Sequence, residues 1–115
     1  MRRGDIHAVD LDPVRGSEAN NRRPAVIVSN DAANGAGARL GRGVITVVPL
    51  TSNVEHLYPF HVLLRSADTG LTRDSKAQAE QVRSVADERV GARLGIVPRA
   101  AMLQIDEALR LHLAL

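Results

Sequence analysis

The chain lacks cysteine entirely, although it is 115 residues long. It therefore cannot form a disulfide, a thiolate zinc site or a cysteine nucleophile, and this composition fits a reducing compartment. No apolar run approaches the roughly 18 to 20 residues that cross a bilayer. The first ten residues, MRRGDIHAVD, carry charges without the apolar core of a signal peptide. We therefore expect a cytoplasmic protein without a membrane-spanning segment.

Aromatic residues are also scarce, because the sequence has no Trp, one Tyr (Tyr58) and one Phe (Phe60). Modules that bind single-stranded nucleic acids usually stack the bases on several aromatic rings. This scarcity counts against a non-catalytic RNA-binding module, which we retain as an alternative function together with a partner-binding module.

Charge of one sign is not in large excess either. The formal net charge of +2 is too small to indicate a nucleic-acid partner by itself. Lys76 is the one lysine among 15 basic residues, and arginine suits phosphate groups, but codon bias in a GC-rich genome explains this preference equally well. With 44% hydrophobic residues and the length of one domain, the sequence predicts a single domain spanning residues 1–115.

Several short segments have the pattern of β-strands, with alternating or β-branched apolar positions. They are residues 5–12, 24–29, 43–51 and 60–64. The third segment is almost continuously apolar, which indicates burial on both faces. Residues 76–85 fit either a strand or a short helix. We expect a polar loop over residues 14–23 and a glycine-punctuated connection over residues 32–43.

The C-terminal residues 97–115 have the pattern of an amphipathic helix, and Pro98 suits its first helical position. Apolar side chains recur at intervals of three and four residues. They are Met102, Ile105, Leu109 and Leu113. Many short strands followed by one helix predict a mainly β fold, a small and strongly bent β-barrel with a helix packed on it.

Three segments, taken in order, carry a more specific pattern. The first is RGDIHAVDLDPVRGSE (residues 3–18), which leads into RRPAVIVSND (residues 22–31). The second is VVPLTS (residues 47–52), and the third is GLTRDSKAQAEQVRSVADERV (residues 70–90). Together with the C-terminal helix they span nearly the whole chain, and they resemble the MazF/PemK toxin family.

The resemblance implies an SH3-like β-barrel of the CcdB/MazF type that forms a homodimer. It further implies the toxin of a type II toxin–antitoxin system, an mRNA interferase that regulates growth by cutting single-stranded RNA at short sequence motifs. A cognate antitoxin would hold it inactive, and no cofactor is implied. A gyrase-inhibiting toxin of the same fold is a second alternative, although such toxins do not need the RP and PLTS motifs together.

Family members use the Arg before the Pro and the Thr of PLTS as a catalytic pair, so the resemblance assigns catalysis to Arg23 and Thr51. Metal-independent cleavage lets the 2′-hydroxyl attack the neighbouring phosphorus, which gives a 2′,3′-cyclic phosphate and a 5′-hydroxyl. Arg23 can place two parallel N–H donors on the non-bridging oxygens, and Thr51 adds a third donor. Because a guanidinium is a poor base at neutral pH, we expect charge stabilisation rather than proton transfer.

Further residues of these segments are assigned to RNA binding. Strand alternation sends Arg22 and Arg23 to opposite sides, and we assign Arg22 to the phosphate backbone. Carboxylates, amides and hydroxyls can pair with exposed base edges. The candidates are Ser17, Glu18, Ser52, Glu80 and Gln81. The family often has Gln, Gly and Lys where this chain has Ala19, Asn20 and Asn21, so the sequence leaves the cleaved motif open.

The four histidines offer a different acid–base chemistry, which the sequence does not favour. His61, in an alternating segment, and His112, in the helix, are expected on the surface. His7 and His56 have no partner nearby in sequence. The sequence contains no HxxxH, HExxH or paired acidic motif with metal-ligand spacing. We therefore expect no bound metal.

Overall fold

The computed structural model describes residues 1–12, 15–18, 21–39 and 43–115, with the backbone alone described at residues 37–39. Within these ranges the strands are β1 (Asp5–Asp10), β2 (Arg22–Ile27), β3 (Val44–Thr51), β4 (His61–Leu64), β5 (Ser75–Gln78), β6 (Arg83–Ala86) and β7 (Val90–Ile96). The helices are α1 (Asp31–Arg39), α2 (Ser66–Thr69) and α3 (Arg99–Leu113), with short 3-10 turns at Ala79–Gln81 and Asp87–Arg89. The fold is mainly β with a C-terminal helix, which confirms the prediction.

The strands form an antiparallel sheet in the order β4-β5-β3-β2-β1-β7. β3 pairs with β2 along one edge, and along its other edge it pairs first with β6 and then, from Leu50, with β5. β1 shifts its register with β7 on both sides of His7, and such irregularities bend and twist a sheet. Within the described residues, the pairing path of this bent, barrel-like sheet runs from β4 to β7 without closing.

Both faces of the central strands are buried, each in its own apolar cluster. Side chains alternate between the faces, so Val26 of β2 joins one cluster while Ala25 and Ile27 join the other. The same alternation separates Val48 from Val47 in β3, which confirms the predicted burial of this strand on both faces. α3 covers the first cluster, and β6 contributes to the second.

The C-terminal helix packs on the sheet through the predicted face for most of its length. Ile105 is fully buried, and Met102 and Leu109 pack against the same cluster. Leu113, which the pattern also assigns to this face, is 49% exposed because it is the last residue of the helix.

The start of this helix differs by one residue from the prediction. α3 begins at Arg99, and Pro98 is its N-cap with an extended backbone rather than its first helical residue. No helix in the described part of the chain is long and apolar enough to cross a membrane.

The local pattern predicts only a glycine-punctuated connection over residues 32–43, and the structure shows that α1 occupies most of it. The side-chain oxygen of Asn30 accepts a hydrogen bond from the backbone N–H of Ala33 at 2.7 Å. This N-cap and the acidic Asp31 in the first turn favour a helix start despite the glycines that follow. Residues 40–42 of the connection lie outside the described residues.

Two further regions complete the comparison with the sequence. Residues 76–85 combine both predicted alternatives, since β5 and β6 are joined by a 3-10 turn. The sequence pattern does not predict β7, whose two glycines weaken a strand signal. A Cβ atom at Gly95 would overlap the backbone oxygen of Thr69 at the end of α2, so the glycine allows β7 and α2 to approach closely.

Candidate active site

A cleft of about 420 Å³ opens where the beginning of β2, the end of β3 and the segment between α2 and β5 meet. Its walls are formed by Asn21, Arg22, Arg23, Pro24, Leu50, Thr51, Ser52, Gly70, Leu71, Thr72, Arg73, Ser75 and Leu94. Four residues that the sequence assigns to the site are among them, namely Arg22, Arg23, Thr51 and Ser52. Antiparallel pairing of β2 with β3 places the first residues of β2 beside the last residues of β3, which brings these four together.

The two adjacent arginines of the cleft occupy different environments. Arg23 pairs with Val9 of β1 and is partly buried, whereas Arg22 is exposed. The Arg22 guanidinium lies over Gly91 of β7, where a Cβ atom would overlap it. The missing side chain of Gly91 therefore leaves space for Arg22 at the edge of the cleft, while Arg23 stays closer to the sheet.

Thr51 is the last residue of β3, and its hydroxyl is held in a turn. Oγ1 accepts a hydrogen bond from the backbone N–H of Asn53 at 3.3 Å, a common role for a hydroxyl at the end of a strand. A hydroxyl has one hydrogen to donate besides its lone pairs. The turn therefore orients Thr51 and still leaves its O–H able to donate into the cleft.

The base of the β1–β2 loop fixes the point at which Arg22 and Arg23 enter the cleft. Asn21 has a positive φ of 63°, its N–H donates to the Asp12 carboxylate at 3.0 Å, and its carbonyl accepts from Leu11 at 3.1 Å. The guanidiniums of Arg83 and Arg89 donate to backbone carbonyls of the same region, at Leu11, Asp10 and Asp12. These contacts hold the end of the loop in one position.

The cleft is also lined by a third arginine, Arg73, which the sequence alone does not assign to the site. Gly70, with a φ of 85°, ends α2 in the left-handed region and lets the chain turn along the cleft wall. Asp74 then accepts a hydrogen bond from the backbone N–H of Ser66 at 2.8 Å. The signal for Arg73 is the segment GLTRDS, whose polar residues follow a glycine within the third family-like segment.

The hydrogen bond from Ser66 has an electrostatic consequence for Asp74. A donor to a carboxylate favours its charged form. The backbone hydrogen bond from Ser66 lowers the pKa of Asp74 below its ordinary value of 3.8. Asp74 is therefore ionised at neutral pH and ties the Arg73 segment to the start of α2.

The other predicted RNA-binding residues lie outside the set that lines the cleft. The side-chain amide of Gln81 donates to the backbone oxygen of Ser17 at 3.0 Å, so these two residues are brought together. Glu18 accepts from the backbone N–H of Arg15 at 3.2 Å. One carboxylate oxygen of Glu80 lies 2.8 Å from Nε2 of His61. Ala19 and Asn20 lie outside the described residues.

The expectation that His61 is a surface residue is wrong, because its side chain is 4% exposed. Its Nδ1 accepts the backbone N–H of Tyr58 at 3.2 Å, and its Nε2 faces Glu80. These partners place the proton of the neutral ring on Nε2. This contact cannot be predicted from local sequence pattern, because it is the β4–β5 pairing and the following 3-10 turn that bring His61 and Glu80 together.

The other histidines differ in burial. His7 is 8% exposed, and its Nδ1 lies 2.9 Å from the backbone oxygen of Gly91. His56 and His112 are exposed, the latter as expected. In the part of the chain that the structure describes, no group of three or more His, Cys, Asp or Glu side chains is placed to hold a metal ion.

Known proteins are similar to this chain over nearly its whole length. The family model for the PemK-like, MazF-like toxin of type II toxin-antitoxin systems matches residues 2–113. The chain is 64% identical to Endoribonuclease MazF9 of Mycobacterium tuberculosis over an alignment of 115 residues. This alignment covers 100% of this chain and 98% of that protein.

Solved structures share the fold as well. One is an endoribonuclease in complex with its cognate antitoxin from a mycobacterial species, with a TM-score of 0.78, 28% identity and coverage of 100% of this chain and 96% of the other. Another is MazF from Deinococcus radiodurans, with a TM-score of 0.82, 26% identity and coverage of 100% and 97%. With a match from residue 2 to residue 113 and the same fold, the chain belongs to the PemK-like, MazF-like toxin family of type II toxin–antitoxin systems.

Proposed function

We propose that this toxin is an endoribonuclease that cleaves single-stranded RNA in the cleft between β2 and β3, with Arg23 and Thr51 as its catalytic pair. The observation that carries the proposal is their position. Arg23 and Thr51 are 28 residues apart in sequence, yet they line one cleft together with Arg22 and Arg73. Relatives of the chain, MazF9 among them, are named endoribonucleases, which supports the reaction type.

The chemistry that this pair can support is metal-independent transesterification. The 2′-hydroxyl of the substrate gives up its proton to solvent and its oxygen attacks the adjacent phosphorus. The bond from phosphorus to the 5′-oxygen breaks, and the 5′-oxygen takes up a proton from solvent. Negative charge grows on the non-bridging oxygens, where two parallel N–H groups of Arg23 and the O–H of Thr51 can stabilise it. The products are a 2′,3′-cyclic phosphate and a 5′-hydroxyl.

The remaining cleft residues suit the binding of RNA rather than the chemical step. Arg22 and Arg73 line the cleft, and their guanidiniums can neutralise backbone phosphates. Ser52 adds a hydroxyl beside Thr51. We retain Ser17, Glu18, Glu80 and Gln81 as base-contacting residues. Glu18 would exchange its present partner, the backbone N–H of Arg15, for a base edge when RNA binds, whereas Glu80 would keep one carboxylate oxygen on His61 and offer the other to a base.

We also propose the biological setting. The toxin acts as one domain over residues 1–115, forms a homodimer, and works in the cytoplasm, where its expected substrate, messenger RNA, is found. A cognate antitoxin inhibits it by covering the cationic cleft, for which an acidic segment is suited. A structurally similar mycobacterial endoribonuclease was solved with its cognate antitoxin, which supports this partner.

The test is incubation of the purified protein with a long single-stranded RNA in excess chelator, followed by mapping of the cut sites and analysis of the ends. We expect cleavage at a short recurrent motif, cyclic phosphate and 5′-hydroxyl ends, and no cleavage of a DNA of the same sequence, which lacks the attacking hydroxyl. Arg23→Ala protein is the matched control for contaminating nucleases. Activity that chelator abolishes and magnesium restores would contradict the mechanism. RNA left intact while DNA gyrase is inhibited would favour the other toxin class.

A further inference from the structure

We propose that Tyr58 stacks against a base of the bound RNA, at a position next to the nucleotides held in the cleft. The inference rests on the proposed function, because it concerns the same RNA. It extends the binding site beyond the cleft wall to the loop between β3 and β4, residues 52–60.

The aromatic residues of the chain, though few, are concentrated in this loop. The Tyr58 and Phe60 rings are stacked, with centroids 5.6 Å apart and an angle of 18° between their planes. His61 contacts both rings edge-on, at 5.6 Å from Tyr58 and 4.6 Å from Phe60. Phe60 is partly buried against the core, whereas Tyr58 is 57% exposed. The cluster therefore presents one aromatic ring to solvent on a supported base.

Hydrogen bonds hold the backbone on which this ring is carried, and the ring itself rests on Phe60 and His61. The backbone N–H of Tyr58 donates to Nδ1 of His61 at 3.2 Å, and His61 is fixed in turn by Glu80 at 2.8 Å. The buried Lys76 donates from Nζ to the backbone oxygen of His56 at 2.6 Å. An exposed ring that is already ordered loses little conformational entropy when it binds a ligand.

The same contacts connect the ring to the cleft. Lys76 is the strand partner of Thr51 in the β3–β5 pairing, and its neighbour Ser75 lines the cleft. The loop begins directly after Thr51, whose hydroxyl accepts the N–H of Asn53 at its first turn. The start of the loop is therefore bonded to Thr51, the residue that we assign to catalysis, and its middle is bonded to Lys76, the strand partner of Thr51.

A nucleic acid base is the ligand that this arrangement fits. The cleft beside Thr51 is lined by three arginines, Arg22, Arg23 and Arg73, whose guanidiniums can bind the phosphates of a single strand. An RNA strand that leaves such a cleft exposes unpaired bases, and aromatic rings bind their faces by stacking. Stacking does not distinguish the bases strongly, so Tyr58 is expected to contribute affinity at one position rather than to select the cleaved motif.

The experiment combines protein variants with RNA that lacks one base at a time. An oligonucleotide containing the mapped motif carries a 2′-deoxynucleotide at the cut site to prevent cleavage, and each flanking position in turn is made abasic. Dissociation constants are measured for wild type, Tyr58→Ala and Tyr58→Phe. We expect Tyr58→Ala to bind the intact oligonucleotide about five- to 150-fold more weakly and Tyr58→Phe to remain within about twofold of wild type, because the ring is retained.

The decisive result is that the binding of Tyr58→Ala is no longer sensitive to base removal at one position of the RNA. Removal of the stacked base should weaken wild-type binding by a similar factor, but it should have little effect on Tyr58→Ala. Leu57→Ala, a change in an exposed neighbour on the same loop, is the matched control and should retain the abasic profile of wild type. If wild type cleaves RNA, and the removal of each base weakens the binding of Tyr58→Ala as much as that of wild type, the stacking role is wrong and the proposed function stands. The stacking role is also wrong if Tyr58→Ala binds RNA more weakly by the same factor at all abasic positions and changes its oligomeric state. A wild type that neither binds nor cleaves RNA would overturn both the stacking role and the proposed function.

Discussion

Arg22 and Arg23 are neighbours with the same side chain, and their surroundings separate their roles. Arg23 is partly buried close to the end of β3, whereas Arg22 is exposed and lies over Gly91. A preorganised donor stabilises developing charge more effectively than a mobile one because it needs no reorganisation during the reaction. The position of Arg23 suits the chemical step, and that of Arg22 suits the binding of a phosphate.

We predict that Arg23→Ala lowers the single-turnover cleavage rate by about a hundred- to a thousandfold, because one set of donors to the developing anion is removed. Arg23→Lys should restore little, since an ammonium cannot make two parallel N–H bonds, and Thr51→Ala should lose somewhat less. Arg22→Ala, the matched control, should mainly weaken binding and reduce its salt dependence by about one counterion. An inactive Arg22→Ala beside a fully active Arg23→Ala would shift the catalytic assignment by one residue.

A second prediction concerns Asp74, whose pKa is lowered by the hydrogen bond from Ser66. A depressed folded-state pKa means that the contact contributes fully above the ordinary value of 3.8 and is lost as the pH falls through the folded-state value. We expect the Ser66 amide resonance to be constant from neutral pH down to about pH 5 and to titrate with a midpoint below 3.8. Asp74→Asn should abolish this titration. A midpoint at or above 3.8 in the wild type would contradict the assignment.

Among the secondary-structure elements, α3 and β7 show how packing supports the cleft. α3 closes one side of the core through Ile105 and Ala108. β7 contributes Leu94 to the cleft wall and reaches α2 through the close approach at Gly95. The Arg73 segment follows α2 directly. Gly91 of β7 leaves space for Arg22, and Gly95 lets β7 approach the end of α2, so both glycines support the cleft wall.

We predict that Ile105→Ala destabilises the protein by about 2–5 kcal/mol, because it removes a fully buried side chain and leaves a cavity beneath the helix. Gln104→Ala on the same helix is the control. Gln104 is exposed, and surface substitutions usually change the stability by less than about 0.5 kcal/mol. Urea unfolding of the two variants measures the difference. Equal destabilisation would mean that the helix face is assigned incorrectly.

For the molecule as a whole, apolar side chains remain exposed along α3 and at its end. They include Leu103, Leu111, Leu113 and Leu115. Exposed apolar groups of this kind often mark an interface, and a two-fold symmetric contact between identical chains is the most common way to bury them.

We therefore predict that the toxin is a homodimer in solution. Sedimentation velocity at micromolar concentration should give about twice the mass of one chain, 12.4 kDa, and the mass should fall on sufficient dilution if the contact is reversible. Replacement of Leu111 and Leu113 by Ser tests whether this end of α3 takes part, with His112→Ala as the control between them. A species with the mass of one chain at all concentrations would contradict the dimer.

The sequence by itself determined the elements whose pattern is local. Alternation and β-branched runs predict β1 to β4, intervals of three and four predict α3, and the motifs RP and PLTS identify Arg23 and Thr51 through the family resemblance. These signals survive in a single sequence because each depends on residues that are close together along the chain.

The tertiary structure decided what depends on residues far apart. It alone joined Arg73 to the cleft and buried His61 against Glu80. It also assembled Tyr58 and Phe60 into one cluster, and it placed β7 where Gly91 leaves space for the Arg22 side chain and Gly95 for the backbone of Thr69. Strand pairing brings such residues together at a distance in sequence, and a glycine looks like a strand breaker until the neighbour that needs its space is known.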